Sequence, residues 1–148
     1  MNKPLIIITG ASTGIGAAMA RLFSSAGYSL GLISRNLQAM QEMKLQNTVC
    51  LSADVTDYED LKNAIKIAEN KFGAVDCLIN NAGYMQFGEF VELTHDSHER
   101  TVKTNLMGVI NGIEIVLPEM RKRKTGTIIN ISSLSENHGV KSGQLTHP

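Results

Sequence analysis

A glycine-bearing turn, Thr9-Gly10-Ala11-Ser12-Thr13-Gly14-Ile15-Gly16, directly follows the apolar run Leu5 to Ile8, and few other local patterns narrow the choice of fold so far. A continuous, β-branched-rich run closed by glycine suits a parallel strand buried on both faces. Helical spacing then begins at Ile15 and passes through Met19, Leu22 and Phe23 to a stop at Gly27. Glycines in a strand–turn–helix setting let the backbone turn tightly and come close to a pyrophosphate, whose charge is met by N–H groups at a helix N-terminus. That setting separates a dinucleotide-binding turn from an ordinary Gly-rich loop.

The alternation continues along the chain. A second strand is predicted over Ser29 to Ile33 and a polar helix over Leu37 to Lys44. The third strand is Val49 to Ala53, and the helix after Thr56-Asp57 carries Leu61, Ile65 and Ala68 at spacings of three or four before Phe72-Gly73. Val75 to Ile79 reads as the fourth strand and Ile128 to Ile131 as the fifth. Between them Val102, Leu106, Val109, Ile110, Ile113, Val116 and Leu117 form one long helical stripe that Pro118 should bend or stop. The expected architecture is α/β: a three-layer, Rossmann-type, doubly wound parallel sheet of about five strands, incomplete at one edge. A chain of 148 residues fits one domain, here residues 1–133, while residues 134–148 lack periodicity and read as an irregular tail.

Lys plus Arg balances Asp plus Glu at 14 each, so no net field favours nucleic acid or an anionic membrane, and the expected partner is a small molecule. The basic run Arg121 to Lys124 reads as the complement of a helix dipole. Cys50 and Cys77 each sit in an apolar stretch, as buried reduced thiols do, and the first apolar run is too short for a signal peptide or a membrane span. The expected location is therefore cytoplasmic. His95 and His98 share helical spacing but have no third ligand of matching placement, so no metal site is expected.

The glycine spacing, Gly-x-x-x-Gly-x-Gly, resembles that of the short-chain dehydrogenase/reductase family, and four further segments agree in order. They are Asp54-Val55 after the third strand, Asn80-Asn81-Ala82-Gly83 after the fourth, Asn105 within the long helix, and Ile131-Ser132-Ser133 after the fifth. The resemblance covers about residues 5 to 133. It implies an oxidoreductase that moves hydride between a nicotinamide cofactor and a carbonyl or alcohol, commonly as a homo-oligomer. It further implies that Gly10, Ser12, Thr13, Gly14, Ile15 and Gly16 cradle the cofactor and that Asp54, with Val55, meets the adenine amino group. Asn80, Ala82 and Gly83 would approach the ribose and steady the central strands, with Asn81 serving either the turn or the cofactor. Asn105, a poor residue for a helix interior, would distort the helix and hold a water in a proton relay. Ser133 would be the catalytic serine, hydrogen-bonded to the substrate oxygen.

The end of the second strand bears on cofactor choice. Enzymes of this fold that use NAD place an acid there for the ribose 2′-hydroxyl, whereas this chain has Ser34-Arg35 and no carboxylate. An Arg can fork onto a 2′-phosphate, so NADP(H) is preferred and NAD(H) remains open. The chain departs from the family at its acid/base. A Tyr is expected thirteen residues after Ser133, with a Lys four further on, yet Thr146 stands there and no Tyr follows Tyr84. Tyr58 and Lys62 repeat the spacing in the wrong element, and His138 and His147 have no scaffold to position them. The expectation is a chain cut before its active site is complete, inactive on its own and prone to self-association. A non-catalytic NADP(H)-binding module and a fragment without function are the alternatives.

Overall fold

A computed structural model describes residues 3–133. Five strands form one parallel sheet: β1 (Leu5–Thr9), β2 (Ser29–Ile33), β3 (Thr48–Leu51), β4 (Val75–Asn80) and β5 (Thr127–Asn130), in the order β3-β2-β1-β4-β5. β1 and β2 are buried at every residue, as their continuous apolar runs require. The order reverses between β1 and β4, and in such sheets the crevice outside the strand C-termini at that reversal is where ligands bind. Tail residues 134–148, including Thr146, His138 and His147, lie outside the described part.

Helices cover both faces. α1 (Gly14–Ser25) and α2 (Leu37–Glu42) are on the side where Ile6, Ile8, Leu30, Leu32 and Met40 cluster. α3 (Tyr58–Phe72) and the long helix before β5 lie on the other side, over Leu5, Ile7, Ile33, Leu51, Val75 and Leu78. α3 starts where Asp57 Oδ1 accepts the Asp60 N–H at 2.9 Å and buries Leu61, Ile65 and Ala68, the residues whose spacing predicts it. α1 differs from expectation. Ile15 and Leu22 are 62% and 65% exposed, Met19 and Phe23 of the predicted stripe pack half-buried against the cluster, and the buried residues are Gly16, Ala17 and Ala20, whose small side chains let the helix lie close.

The long helix is three pieces: α4 (His95–Val102), a π-helical turn over Lys103–Met107 and α5 (Gly108–Arg123). The predicted stripe is therefore not one continuous face. A π turn inserts a residue, and at about 100° per residue the faces before and after it no longer align. Gly108, Asn111, Gly112, Val116 and Met120 face inward, while Val102 and Leu106 are each 55% exposed. Nor does Pro118 stop the helix, which continues to Arg123. Both Pro118 and Glu114, whose carbonyl loses its N–H donor, are exposed, so water can take that carbonyl. The last turn holds Arg121, Lys122 and Arg123, as a helix C-terminus favours, and Arg123 Nη2 also donates to Val75 O at 2.6 Å.

Candidate functional site

The floor of the crevice is built by Thr9, a 1% exposed residue that closes β1. Its Oγ1 accepts the N–H groups of Asn81 and Ala82, each at 3.1 Å, and Asn81 Nδ2 donates to the Thr9 and Gly10 carbonyls at 3.0 and 3.2 Å. The end of β4 is thus stitched onto the glycine turn. The fit is tight enough to exclude side chains: a Cβ on Gly10 would sit 2.7 Å from Ala82 Cα, and one on Gly16 would sit 2.4 Å from Gly10 O. Gly14 is different. Its φ of +52° favours glycine, yet a Cβ there would meet nothing within 4 Å, because this position opens on the cavity. Thr13 precedes α1 in an extended conformation and its side chain caps no N–H, so the positive end of the helix is turned to the cavity without a protein anion of its own.

A second corner is polar. Ser34 Oγ donates to Ser12 Oγ at 2.9 Å, joining the end of β2 to the glycine turn. Arg35 is 64% exposed and its Nη1 lies 3.9 Å from Asp54 Oδ2, a long, solvated pairing that leaves the guanidinium available. Asp54 Oδ1 accepts from Thr56 N and Thr56 Oγ1 at 2.9 and 2.8 Å, the geometry of a turn aspartate. Partial burial works against its ionisation, but the Thr56 hydrogen bonds, with Arg35 and Arg100 nearby, hold its carboxyl below the usual range.

These parts enclose a cavity of about 520 Å³. Gly10, Ser12, Thr13, Gly14 and Ile15 form one wall, Ser34 and Arg35 another, and Asp54, Val55, Asn81, Ala82 and Gly83 the remainder. Gly16 is buried beneath the turn, so its part is close packing. Asn80 is also buried, and its Nδ2 donates to Asn130 Oδ1 at 2.9 Å, tying β4 to β5. Sequence reasoning missed Ile33, Ala53 and Thr104 on the lining, and Thr9 beneath it. Thr9 had a legible signal, a hydroxyl ending an otherwise apolar strand. Thr104 had none, since it lies in the π turn, where helical spacing does not tell which way a residue faces.

Asn105 lies in that turn, so the helix is distorted where the resemblance implied. Its amide forms two bonds with Tyr84: Oδ1 accepts the Tyr84 N–H at 2.7 Å and Nδ2 donates to Tyr84 O at 2.9 Å. Ser133 is exposed beyond the end of β5 and is not part of the cavity lining. His98 stacks on Phe90 with ring centres 4.5 Å apart. Cys50 and Cys77 are half-buried free thiols, and burial raises both above the ordinary thiol range. Among the described residues no helix is long and apolar enough to cross a membrane.

Comparison with known proteins agrees with this geometry. The family model described as short chain dehydrogenase matches residues 4–145. An uncharacterized oxidoreductase of Staphylococcus saprophyticus is 37% identical over 151 residues, covering 99% of this chain and 61% of that protein. The chain thus spans about three-fifths of the length of the curated relatives it matches. A short-chain dehydrogenase from Streptomyces avermitilis superposes with a TM-score of 0.82 at 31% identity, covering 88% of this chain and 49% of that one. Serine dehydrogenase from Escherichia coli gives 0.86 at 26% identity, covering 94% and 66%. The strand order, the glycine turn stitched to β4, and these likenesses together place the chain in the short-chain dehydrogenase family.

Proposed function

We propose that the cavity binds NADP(H) in preference to NAD(H), and that the chain is the cofactor-binding part of an oxidoreductase acting on a small carbonyl or alcohol. The observation that carries this reading is the convergence on one cavity of the glycine turn, the Ser34-Arg35 corner and the Asp54 and Asn81–Gly83 segments. The residues fit such a group: the turn packs where any side chain at Gly10 or Gly16 would clash, while Gly14 and the uncapped start of α1 offer open space and positive potential to a pyrophosphate. Ser12, Ser34 and Arg35 supply hydroxyl and guanidinium donors to a 2′-phosphate, and none of Ser34, Arg35 and Asn36 at that strand end is itself an acid. Asp54 Oδ2, the oxygen not used by Thr56, is available to an adenine amino group. When bound, such a cofactor supplies hydride.

On the substrate side, Ser133 would polarise the reacting oxygen, and Asn105, in the π turn, would hold the loop at Tyr84 in register with the cavity and serve proton relay. Thr146 in place of a Tyr favours a second reading for the 148-residue polypeptide taken alone, namely that it binds cofactor without turning over substrate. Titration with NADPH and NADH tests the cofactor assignment. The unaltered chain should bind NADPH more tightly, and Arg35→Asp should reverse the preference by about 1–3 kcal/mol, the scale of a charged hydrogen bond. Equal affinities before and after the substitution would reject it. The same preparations should show no carbonyl reduction above background, and turnover abolished by Ser133→Ala would overturn the binding-only reading.

A further inference from the structure

Tyr58 and Lys62 play no part in the cofactor reading above, yet the fold gives them a setting of their own. Tyr58, Lys62 and Lys66 follow one another at intervals of four on α3, so they stand in one row along the helix. The row borders a cleft of about 360 Å³ between α3 and α5, which shares no lining residue with the cofactor cavity. Ile65, 1% exposed, and the half-buried Ile115 of α5 give this cleft an apolar floor. Its rim is rich in donors. The Lys66 ammonium, the Asn63 amide and the Tyr58 hydroxyl make no hydrogen bond or ion pair with any described residue. Lys62 is only weakly engaged: its Nζ lies 3.5 Å from Glu59 Oε1 and 5.6 Å from the centre of the Tyr58 ring, with the side chain 52% exposed. Among the described residues the lining sets these two ammonium groups against the Glu69 carboxylate, an excess of one positive charge.

We propose that this cleft binds a monocarboxylate with an apolar body, such as a medium-chain fatty acid, its head between Lys62 and Lys66 and its chain over Ile65 and Ile115. Charge and shape together decide the class. An apolar floor with cationic and neutral donors at the rim suits an amphiphile, because the chain leaves water while the head stays at solvated ammonium groups. One negative charge matches the excess of one. A phosphate dianion would face Glu69 with no further cation to offset it, and an ammonium head would meet Lys62 and Lys66 as like charges. The volume falls within the range of small-molecule sites, about 300–1,000 Å³. Binding disrupts little, since the Lys62–Glu59 pair is long and solvated and Lys66 has no partner to leave.

The test is a titration of the full 148-residue chain with octanoate, followed by calorimetry and by the methyl resonances of Ile65 and Ile115. Octanoate should bind with a dissociation constant on the order of 1 mM and shift those methyls. Octylammonium, equal in chain and opposite in charge, should leave them in place, and this comparison needs no substitution. Lys66→Gln should weaken octanoate binding about two- to fivefold, as loss of one exposed ion pair allows. Lys62→Gln combined with Lys66→Gln should weaken it further, whereas Lys66→Arg should retain it. Both lysines are exposed and line no part of the cofactor cavity, so NADPH affinity should be the same in parent and variants. Octanoate that leaves both methyls unmoved, shifts them no more than octylammonium does, or binds the double variant as tightly as the parent overturns the proposal. Shifts confined to the exposed Val102, Leu106 and Ile129 would put the chain on that other surface and overturn it as well.

Discussion

Gly14 and Gly16 sit in the same turn for opposite reasons, and substitution separates them. Alanine at Gly16 forces a Cβ to within 2.4 Å of Gly10 O and 2.6 Å of Asn81 Nδ2, so overpacking should cost about 1–3 kcal/mol in urea unfolding. Alanine at Gly14 meets no atom and should cost about 1–2 kcal/mol, from the positive φ alone, while narrowing the cavity mouth. Its effect should therefore be larger on nucleotide binding than on stability, and the reverse ranking would contradict the assignment. Asp54 offers a pH test. Its carboxyl is lowered in the folded chain, so its contribution to stability is fully present above the unfolded value of about 3.9 and is lost as pH falls through the lower folded value. Asp54→Asn should therefore lower stability at neutral pH and flatten the acid limb of a stability–pH curve, and an unchanged acid limb would show that Thr56 does not hold the ionised form.

At the scale of elements, the join between α4 and α5 decides how the site is presented. The π turn carries Thr104 to the cavity and Asn105 to Tyr84, and α5 then starts on a new phase with Gly108, Asn111 and Gly112 inward. Asn111 shows how that face is held: its Nδ2 donates to Val55 O at 2.9 Å in a buried position, anchoring the segment after β3 beside the cavity. Asn111→Ala leaves that carbonyl without its donor and should destabilise the chain by about 1–3 kcal/mol by thermal or denaturant unfolding. Because Val55 lines the cavity, nucleotide affinity should fall as well. A stability loss with unchanged affinity would separate the two roles.

For the whole molecule, the sheet and its two layers leave one side uncovered among the described residues. Val102 and Leu106 are each 55% exposed, and Ile129 and Ile131, at and just beyond β5, are 41% and 39% exposed. Among the described residues β5 pairs with β4 alone, so its other edge presents backbone groups that none of them pairs. Apolar side chains beside an open strand edge favour association, and the 148-residue polypeptide studied alone should sediment as a concentration-dependent mixture rather than as one monomeric species. A reversible, concentration-independent thermal transition of a monomer would contradict this.

Much of this was legible in the sequence because it depends on short-range pattern. The apolar runs of β1 and β2, the Asp57 cap of α3 and the glycine turn specify their own local structure, and the Asp54 and Asn80 to Gly83 segments fall at strand ends, where the doubly wound topology brings them to one crevice. What was not legible depends on which surface an element meets. The stripe from Val102 to Leu117 predicted one continuous helical face, but the π turn rotated it, and only packing against β4 and α3 selected Gly108, Asn111 and Gly112 as the inward residues. Likewise Ile15 and Leu22 fit a helical stripe, yet the sheet accepted the small face of α1, since close approach there is what lets Gly16 pack under Gly10 and Asn81. Periodicity states that a helix has an apolar side; steric fit against the sheet decides which side is used.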